Sequence, residues 1–150
     1  MSLKLYFAGS IRGGREDQPI YDQFIKYSQY LGCEILTEHV GNNTLSSNGE
    51  KLDANYIHDR DLKWIEASNG IIAEVTNPSI GVGYEINYAL SNNKPVLVLY
   101  GKSANSKRIS AMIEGASGKY PYLTIYNYNR DKAGILKAKN AIKKYIGTLS

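Results

Sequence analysis

Two acidic residues stand where chemistry on a glycosidic bond would need them. Asp61 lies four residues after Ile57 and four before Ile65, which places it in the apolar stripe of a predicted helix. A desolvated carboxyl group has a raised pKa that suits proton donation. Glu85 falls in the first turns of a second helix. The two acids either form a carboxylate pair for glycosidic-bond chemistry or are a loop-bonded aspartate and an ordinary helix-start acid.

A glycine-rich loop follows the first predicted strand and runs Gly9-Ser10-Ile11-Arg12-Gly13-Gly14-Arg15. Glycines let the backbone approach a ligand, free amides bind anions, and Ser10 with Arg12 or Arg15 adds side-chain donors. The loop predicts a phosphate site, against the alternative of a connector with solvent-facing arginines. It has neither the Gly-Lys-Ser/Thr of a P-loop nor the Gly-x-Gly-x-x-Gly of a dinucleotide fold, which disfavours a nucleoside triphosphatase or a dehydrogenase.

A second loop with ligand-binding character precedes the helix of Glu85. It runs from Asn77 through Pro78, Ser79 and Gly81. Ser79 is able either to cap the helix or to donate to a ligand, and the glycine permits close approach. We therefore expect this loop to lie beside the predicted phosphate site.

Other reactive side chains are few. His39 and His58 are the only histidines and Cys33 is the only cysteine, without metal-ligand spacing. We expect no metal site, and the single thiol favours a reducing compartment. No apolar run approaches the ~18 residues of a membrane span. We expect a cytoplasmic protein, or a nuclear one in a eukaryote, that does not contact a membrane.

The net charge of +4 is distributed unevenly along the chain. Residues 130–150 carry +5, and residues 1–129 carry −1. The C-terminal lysines surround an apolar stripe that includes Ile135, Ala138 and Ile142, which is typical of the solvated outer face of a helix. We therefore expect a small-molecule ligand rather than nucleic acid.

Strand and helix patterns alternate along the whole chain. Strands are predicted over 3–8, 34–37, 70–75, 95–100 and 122–126, and helices over 17–31, 54–67, 82–90, 107–115 and the basic C-terminus. The order predicts an α/β fold in which residues 1–150 form a single domain, a doubly wound, Rossmann-like five-stranded parallel sheet with helices on both faces. Ligands bind beyond the carboxyl ends of such strands, where both loops above lie. The polar, Asn- and Ser-rich composition of residues 41–49 predicts a loop that is long enough to form a lid or lip.

Five blocks of the sequence together resemble a known family. They are Tyr6–Asp17, Leu36–Val40, Asp61-Leu62-x-Trp64, Ala73–Glu85 and Ser110-Ala111-Met112-Ile113. In order and in residue type they resemble the nucleoside 2-deoxyribosyltransferase superfamily, and within it the 2′-deoxynucleoside 5′-monophosphate N-glycosidases. The resemblance covers residues 5 to about 116, and the remaining tail shares only the strand-then-helix pattern.

The resemblance implies hydrolysis of a deoxynucleotide to free base and 2-deoxyribose 5-phosphate, without a cofactor. Glu85 would be the nucleophile that attacks C1′ and forms a glycosyl-enzyme ester, Asp61 would transfer protons, and Tyr6 would lie beside the sugar. A homodimer is implied, with Ser110 supplied to the neighbouring subunit's site and His39 on the base side. The implied binding residues are Gly9, Ser10, Ile11, Arg12, Gly13, His39, Ser79, Gly81, Ser110 and Met112.

Three alternatives to this hydrolase remain open. One is a deoxyribosyltransferase that passes the sugar to a second base, because the residues do not show how water is admitted. Another is a ribonucleotide N-glycosidase acting on CMP-like substrates. The third is a nucleotide-binding module without catalysis, in which Glu85 would perform no chemistry.

Overall fold

The computed structural model describes residues 2–12, 14–41, 49–102 and 108–149, which alternate strand and helix. The strands are β1 (Lys4–Ala8), β2 (Glu34–Ile35), β3 (Gly70–Glu74), β4 (Val96–Lys102) and β5 (Leu123–Asn129). The helices are α1 (Gln18–Tyr30), α2 (Ala54–Ala67), α3 (Ile80–Ser91), α4 (Ala111–Ala116) and α5 (Lys132–Gly147). A short 3-10 helix, Glu38–Gly41, lies between β2 and α2.

The five strands form one parallel sheet in the order β2-β1-β3-β4-β5. The predicted α/β architecture is confirmed. From β1 the chain crosses outward to β2, whereas from β3 it crosses in the opposite direction to β4. The loops that leave β1 and β3 therefore diverge, and they open a crevice at the carboxyl ends of two neighbouring strands.

Helices cover both faces of the sheet, as predicted. Leu5 and Phe7 of β1 face one side, in the core cluster that α1 and α5 close. Tyr6 and Ala8 face the other side, in the cluster that α2 and α3 close. This alternation follows from the two-residue period of a strand. It directs Tyr6 toward the helices that carry the two predicted catalytic acids.

Strand β2 is shorter than predicted because a side chain replaces its last ladder bonds. Only Glu34 and Ile35 pair with β1. The chain then turns, and the Thr37 hydroxyl accepts from the amide of Phe7 at 2.8 Å and donates to the Phe7 carbonyl at 2.6 Å. Thr37 thereby satisfies the edge of β1 without extended backbone.

Helix α4 begins later than the predicted residue 107. Ser110 caps it by accepting from the amide of Met112 at 3.3 Å, so the helix starts at Ala111. Residue 107 itself and most of the predicted loop, residues 42–48, lie outside the described residues.

The basic helix α5 has the predicted arrangement of faces. Ala138, Ile142 and Tyr145 are buried, while Lys137 and Lys143 are exposed. The positive charge therefore lies on a solvated surface. Within the part of the chain that the structure describes, no helix combines the length and apolar character needed to cross a membrane.

Tyr145 links α5 to the sheet through a buried hydroxyl. It donates to the carbonyl of Pro95 at 2.7 Å and accepts from the amide of Ile71 at 3.0 Å. We expect Tyr145→Phe to lower the free energy of unfolding by about 1–2 kcal/mol because this bridge is lost. Urea unfolding measures the change. Tyr30→Phe is the matched control, since Tyr30 is 83% exposed, and equal midpoints for the two variants would show that the bridge adds no stability.

Candidate active site

A cavity of about 600 Å³ lies in the crevice between the loops that follow β1 and β3. The β1 loop, helix α2 and the first turns of α3 form its walls. Seven of the predicted site residues line it: Gly9, Ile11, Arg12, Asp61, Ser79, Gly81 and Glu85. The fold thus brings both predicted acids and both predicted ligand-binding loops to one cavity of the size that small ligands occupy.

A side chain of strand β1 holds Glu85 in place. The hydroxyl of Tyr6 donates a hydrogen bond to Oε2 of Glu85. The other oxygen, Oε1, lies 4.0 Å from the position that a Cβ on Gly81 would take, and the Ser79 hydroxyl lies 3.8 Å from the same point. Oε1 therefore faces the first turn of α3, on the side where Ser79 and Gly81 line the cavity.

The environment of Glu85 favours its protonated form. Burial raises the pKa of Glu85 to about 8, and the Asp61 charge acts in the same direction. The Tyr6 hydrogen bond and the Arg60 charge oppose that rise in pKa. Burial, followed by the charges of Glu85 and Asp61, raises the pKa of Tyr6 well above its usual value, so its phenol stays a donor.

Asp61 faces the same cavity from α2. Its Oδ1 accepts from Nε of Arg60 at 3.0 Å and from Nη2 at 2.9 Å. Burial raises the pKa of Asp61, and these Arg60 contacts limit the increase. Two carboxyl groups with displaced pKa values in one cavity can divide the roles of nucleophile and acid or base.

A side-chain amide joins the two loops that were predicted to bind a ligand. Nδ2 of Asn77 donates to Oγ of Ser10 at 3.3 Å and to Oε2 of Glu16 at 3.0 Å. Gly14 permits this approach: its φ of +131° is in the region that favours glycine, and an added Cβ would come within 2.8 Å of the Asn77 amide. The sequence placed Asn77 at a loop start but did not indicate this bridge.

Ser10 lies behind the cavity wall rather than on it. The residue is fully buried, its amide donates to the Tyr21 hydroxyl at 3.1 Å, and its own hydroxyl accepts from Asn77. Gly9 explains the close packing here, because a Cβ at that position would meet the Tyr21 ring at 2.9 Å. Gly13, also predicted for this loop, lies outside the described residues.

Ser110 and Met112 lie in a neighbouring cavity. That cavity, of about 530 Å³, is formed between α3 and α4. It shares four residues with the cavity of Glu85, two from the loop before α3 and two from the first turn of that helix: Pro78, Ser79, Ile80 and Val82. Within one chain, Ser110 and Met112 therefore lie outside the cavity of Glu85, in an adjoining cavity on the other side of the shared wall.

The rim of the Glu85 cavity contains residues that were not predicted to belong to the site. Ala54, Ile57 and Leu62 supply an apolar wall from α2. Beside them, Nε2 of His58 lies 3.0 Å from the Tyr84 hydroxyl, with the two rings edge to face. An apolar wall with a polar rim suits a flat heteroaromatic ligand. The helical spacing between Ile57 and Asp61 could have indicated that Ile57 lies on the same face of α2 as the acid.

His39 is next to this site but outside the lining of the cavity. Its Nε2 lies 3.6 Å from Oε2 of Glu50, and its ring centre lies 6.0 Å from that of Trp64. Burial lowers the pKa of His39, which favours the neutral imidazole. Among the described residues, no three His, Cys, Asp or Glu side chains converge in a way that could hold a metal ion.

The sequence blocks and the cavity both indicate one family, and comparison with family models establishes which family it is. The family model described as nucleoside 2-deoxyribosyltransferase matches residues 5–139. The chain belongs to the nucleoside 2-deoxyribosyltransferase family. The predicted resemblance is confirmed, and the match extends beyond the blocks that indicated it.

Two relatives and one solved structure are similar to this chain over most of its length. The 5-hydroxymethyl-dUMP N-hydrolase of Danio rerio is 44% identical over 149 residues, which cover 99% of both chains. The protein of the same name from Esox lucius is 46% identical over 117 residues, 76% of this chain and 79% of the other. The solved CMP N-glycosidase of Clostridium botulinum superimposes with a TM-score of 0.68 at 16% identity, covering 95% of this chain and 98% of the other. That last likeness shows the fold alone.

The shielded carboxyl group of Glu85 should reduce the stability of the protein at neutral pH. Folded Glu85 holds its proton up to about pH 8, whereas the unfolded chain releases it near 4.5, so stability falls as pH rises between these values. We expect Glu85→Gln to unfold at a higher temperature than wild type, by on the order of 5 °C at pH 8. The difference should shrink toward pH 5.

Thermal unfolding across this pH range is the measurement. Glu34→Gln, which removes an exposed carboxylate at the start of β2, is the control and should follow wild type. A Glu85→Gln curve that runs parallel to wild type at every pH would contradict the raised pKa of Glu85.

Proposed function

We propose that the protein hydrolyses the N-glycosidic bond of 2′-deoxynucleoside 5′-monophosphates, releasing the base and 2-deoxyribose 5-phosphate. The observation that carries this proposal is the meeting of Glu85, Tyr6 and Asp61 at one cavity bordered by the β1 loop. Near full-length similarity to a protein named 5-hydroxymethyl-dUMP N-hydrolase supports it. The buried free thiol of Cys33 supports a reducing compartment, the cytoplasm or a eukaryotic nucleus.

The first chemical step joins Glu85 to the sugar. The reacting form of Glu85 is the carboxylate, which the Tyr6 hydrogen bond favours. Its Oε1, on the cavity side, attacks C1′ while the C1′–N bond breaks and the electron pair of that bond passes to the base. Asp61 gives its proton to the departing base. Tyr6 keeps Oε2 fixed during the attack. The product is a glycosyl ester of Glu85, as in retaining glycosidases.

The second step returns the enzyme to its starting state. Asp61, now a carboxylate, takes a proton from water as the water oxygen attacks C1′. The bond between C1′ and Glu85 breaks, and its electron pair returns to the carboxylate. A 2′-deoxy sugar favours this route because no electron-withdrawing 2′-hydroxyl opposes the oxocarbenium-like transition state.

The 5′-phosphate is assigned to the two loops at the end of the cavity. Arg12 supplies a cation from the β1 loop, and Ser79 supplies a hydroxyl at the N-terminus of α3. The amides of residues 11–13 complete this proposed cradle. Ser10 then acts through its buried contact with Asn77, which keeps the two loops together, rather than as a direct ligand.

Turnover of matched substrates tests the proposed reaction. We expect base release from dGMP and 5-hydroxymethyl-dUMP, and at least about 100-fold slower release from deoxyguanosine and GMP, because phosphate binding and the 2′-deoxy sugar both favour the transition state. Chromatography of the free base is the measurement. Glu85→Gln should lose about 10³-fold or more in kcat, whereas Glu34→Gln should retain wild-type activity.

Two further results separate the alternatives. Mass spectrometry of the quenched reaction should find a deoxyribose phosphate adduct on Glu85, and its absence under rapid quench would contradict the covalent step. Adding a second free base distinguishes hydrolysis from transfer, since a transferase would form the exchanged nucleotide. Equal turnover of deoxyguanosine and dGMP would refute the phosphate assignment.

We also propose that two copies of the chain form a homodimer in which Ser110 and Met112 of one copy complete the other's site. Ile80 is 95% exposed and Met112 is 82% exposed, and both border the cavity between α3 and α4. Large exposed apolar side chains on one face favour association. Ser110 stands at the start of α4 with an exposed hydroxyl, which is suited to reaching a phosphate across an interface.

Mixing two inactive variants tests this shared site. Glu85→Gln lacks the nucleophile and Ser110→Ala lacks the donated hydroxyl, so each alone should be weak. A mixed dimer restores one intact site, because each chain supplies what the other lacks, and random exchange should recover about a quarter of wild-type activity. Activity that stays at the sum of the separate variants would mean that Ser110 serves its own chain.

A further inference from the structure

Arg60 connects Asp61 to a second carboxylate, Glu50. Its Nη1 and Nη2 donate to the two oxygens of Glu50 at 2.7 and 2.6 Å. Its Nε and Nη2 donate to Oδ1 of Asp61 at 3.0 and 2.9 Å. The guanidinium carbon also lies 4.4 Å from the centre of the Trp64 ring. Hydrogen bonds along its edges and a ring against one face fix the plane of the guanidinium group.

This arrangement distinguishes the two oxygens of Asp61. Oδ1 is occupied by two donors of Arg60, so the proton that Asp61 exchanges with a ligand is left to Oδ2. The side chains of Arg60, Glu50 and Asp61 are only 14%, 18% and 20% exposed. Partial shielding from water strengthens these charged hydrogen bonds relative to those of a surface pair.

Arg60 also balances the negative charge around Asp61. The groups that face Asp61 are Glu50 and the cation Arg60, His39 from the 3-10 helix, Glu85 from α3 and Tyr6 from β1. Three of these side chains, counting Asp61 itself, are carboxyl groups. Without the Arg60 cation, Asp61 would hold its proton more tightly, because nearby carboxylates and burial both favour the neutral acid.

We propose that Arg60 is a positioning residue for Asp61, holding Oδ1 so that Oδ2 gives a proton to the departing base and takes one from water. The proposal rests on the function proposed above, since it concerns the proton transfer assigned to Asp61. Glu50 supports the arrangement by fixing the far side of the guanidinium group. Arg60 itself is outside the lining of the cavity, and Glu50 is part of that lining.

Substrates that differ in their need for a proton reveal this role. An N7-methylated guanine leaves as a neutral base without protonation, and 5-bromouracil is a better leaving group than 5-hydroxymethyluracil. We therefore compare dGMP with N7-methyl-dGMP, and 5-hydroxymethyl-dUMP with 5-bromo-dUMP, in single-turnover measurements of base release. Spontaneous base loss is subtracted with enzyme-free samples.

Arg60→Gln should slow base release from dGMP or 5-hydroxymethyl-dUMP by about 10- to 100-fold, because a displaced Asp61 loses part of the roughly 10²- to 10⁴-fold contribution of general acid catalysis. Release from N7-methyl-dGMP should fall less than about threefold, with 5-bromo-dUMP between, because less protonation is needed. KM should change little, since the phosphate contacts remain. Arg60→Lys, which keeps the charge without the fork, should recover only part of the rate.

Two further variants keep the test decisive. Lys63→Gln removes one exposed positive charge from the same helix and should behave as wild type for all four substrates. Glu50→Gln keeps Arg60 but weakens the hydrogen bonds that hold its guanidinium group. The same dependence on substrate should therefore appear, with a smaller loss of rate. This variant also serves if Arg60→Gln does not fold.

Equal loss for both members of each pair, or no loss, would overturn the positioning role. If Glu85→Gln is inactive while Arg60→Gln and Glu50→Gln match wild type, the proposed function stands and this inference fails. If wild-type protein releases base from none of the four nucleotides, the proposed function fails as well.

Discussion

The hydrogen bond between Tyr6 and Glu85 is the contact on which the arrangement of the site depends. It joins the interior strand β1 to α3, and it requires Tyr6 to face the side of the sheet that α2 and α3 cover. The strand period then places Phe7 in the opposite core. A shift of β1 by one residue would exchange these two faces, so the packing of the whole sheet fixes the partner of one carboxylate.

Burial of that carboxylate opposes stability and favours reaction. Water is largely excluded from Glu85, which raises its pKa to about 8 and disfavours the ionised form in the free protein. The same exclusion strengthens attraction between the carboxylate and positive charge that develops at a sugar carbon. Tyr6 and Arg60 limit this cost, Tyr6 by a hydrogen bond and Arg60 by its charge.

Periodicity in the sequence was sufficient to predict the architecture, and local motifs were sufficient to predict both acids and the two loops that border the cavity. Helix α2 matches its predicted bounds because strong apolar spacing runs from Ile57 to Ile65. The bridge from Asn77 to Ser10 and the pairing of Arg60 with Glu50 were not predictable, because both join segments whose relative positions only the folded sheet and loops define. Single side-chain bonds of this kind leave no periodic signal.

The first turn of α3, together with the two residues before it, forms a wall common to two cavities. Pro78, Ser79, Ile80 and Val82 border both the cavity of the two acids and the one that contains Ser110. A change in the shape of this turn therefore alters both volumes at once, in opposite senses if the turn moves as a unit. The two cavities therefore constrain each other in evolution. A substitution in this wall that adapts one cavity to a new ligand must also preserve the packing or binding in the other cavity.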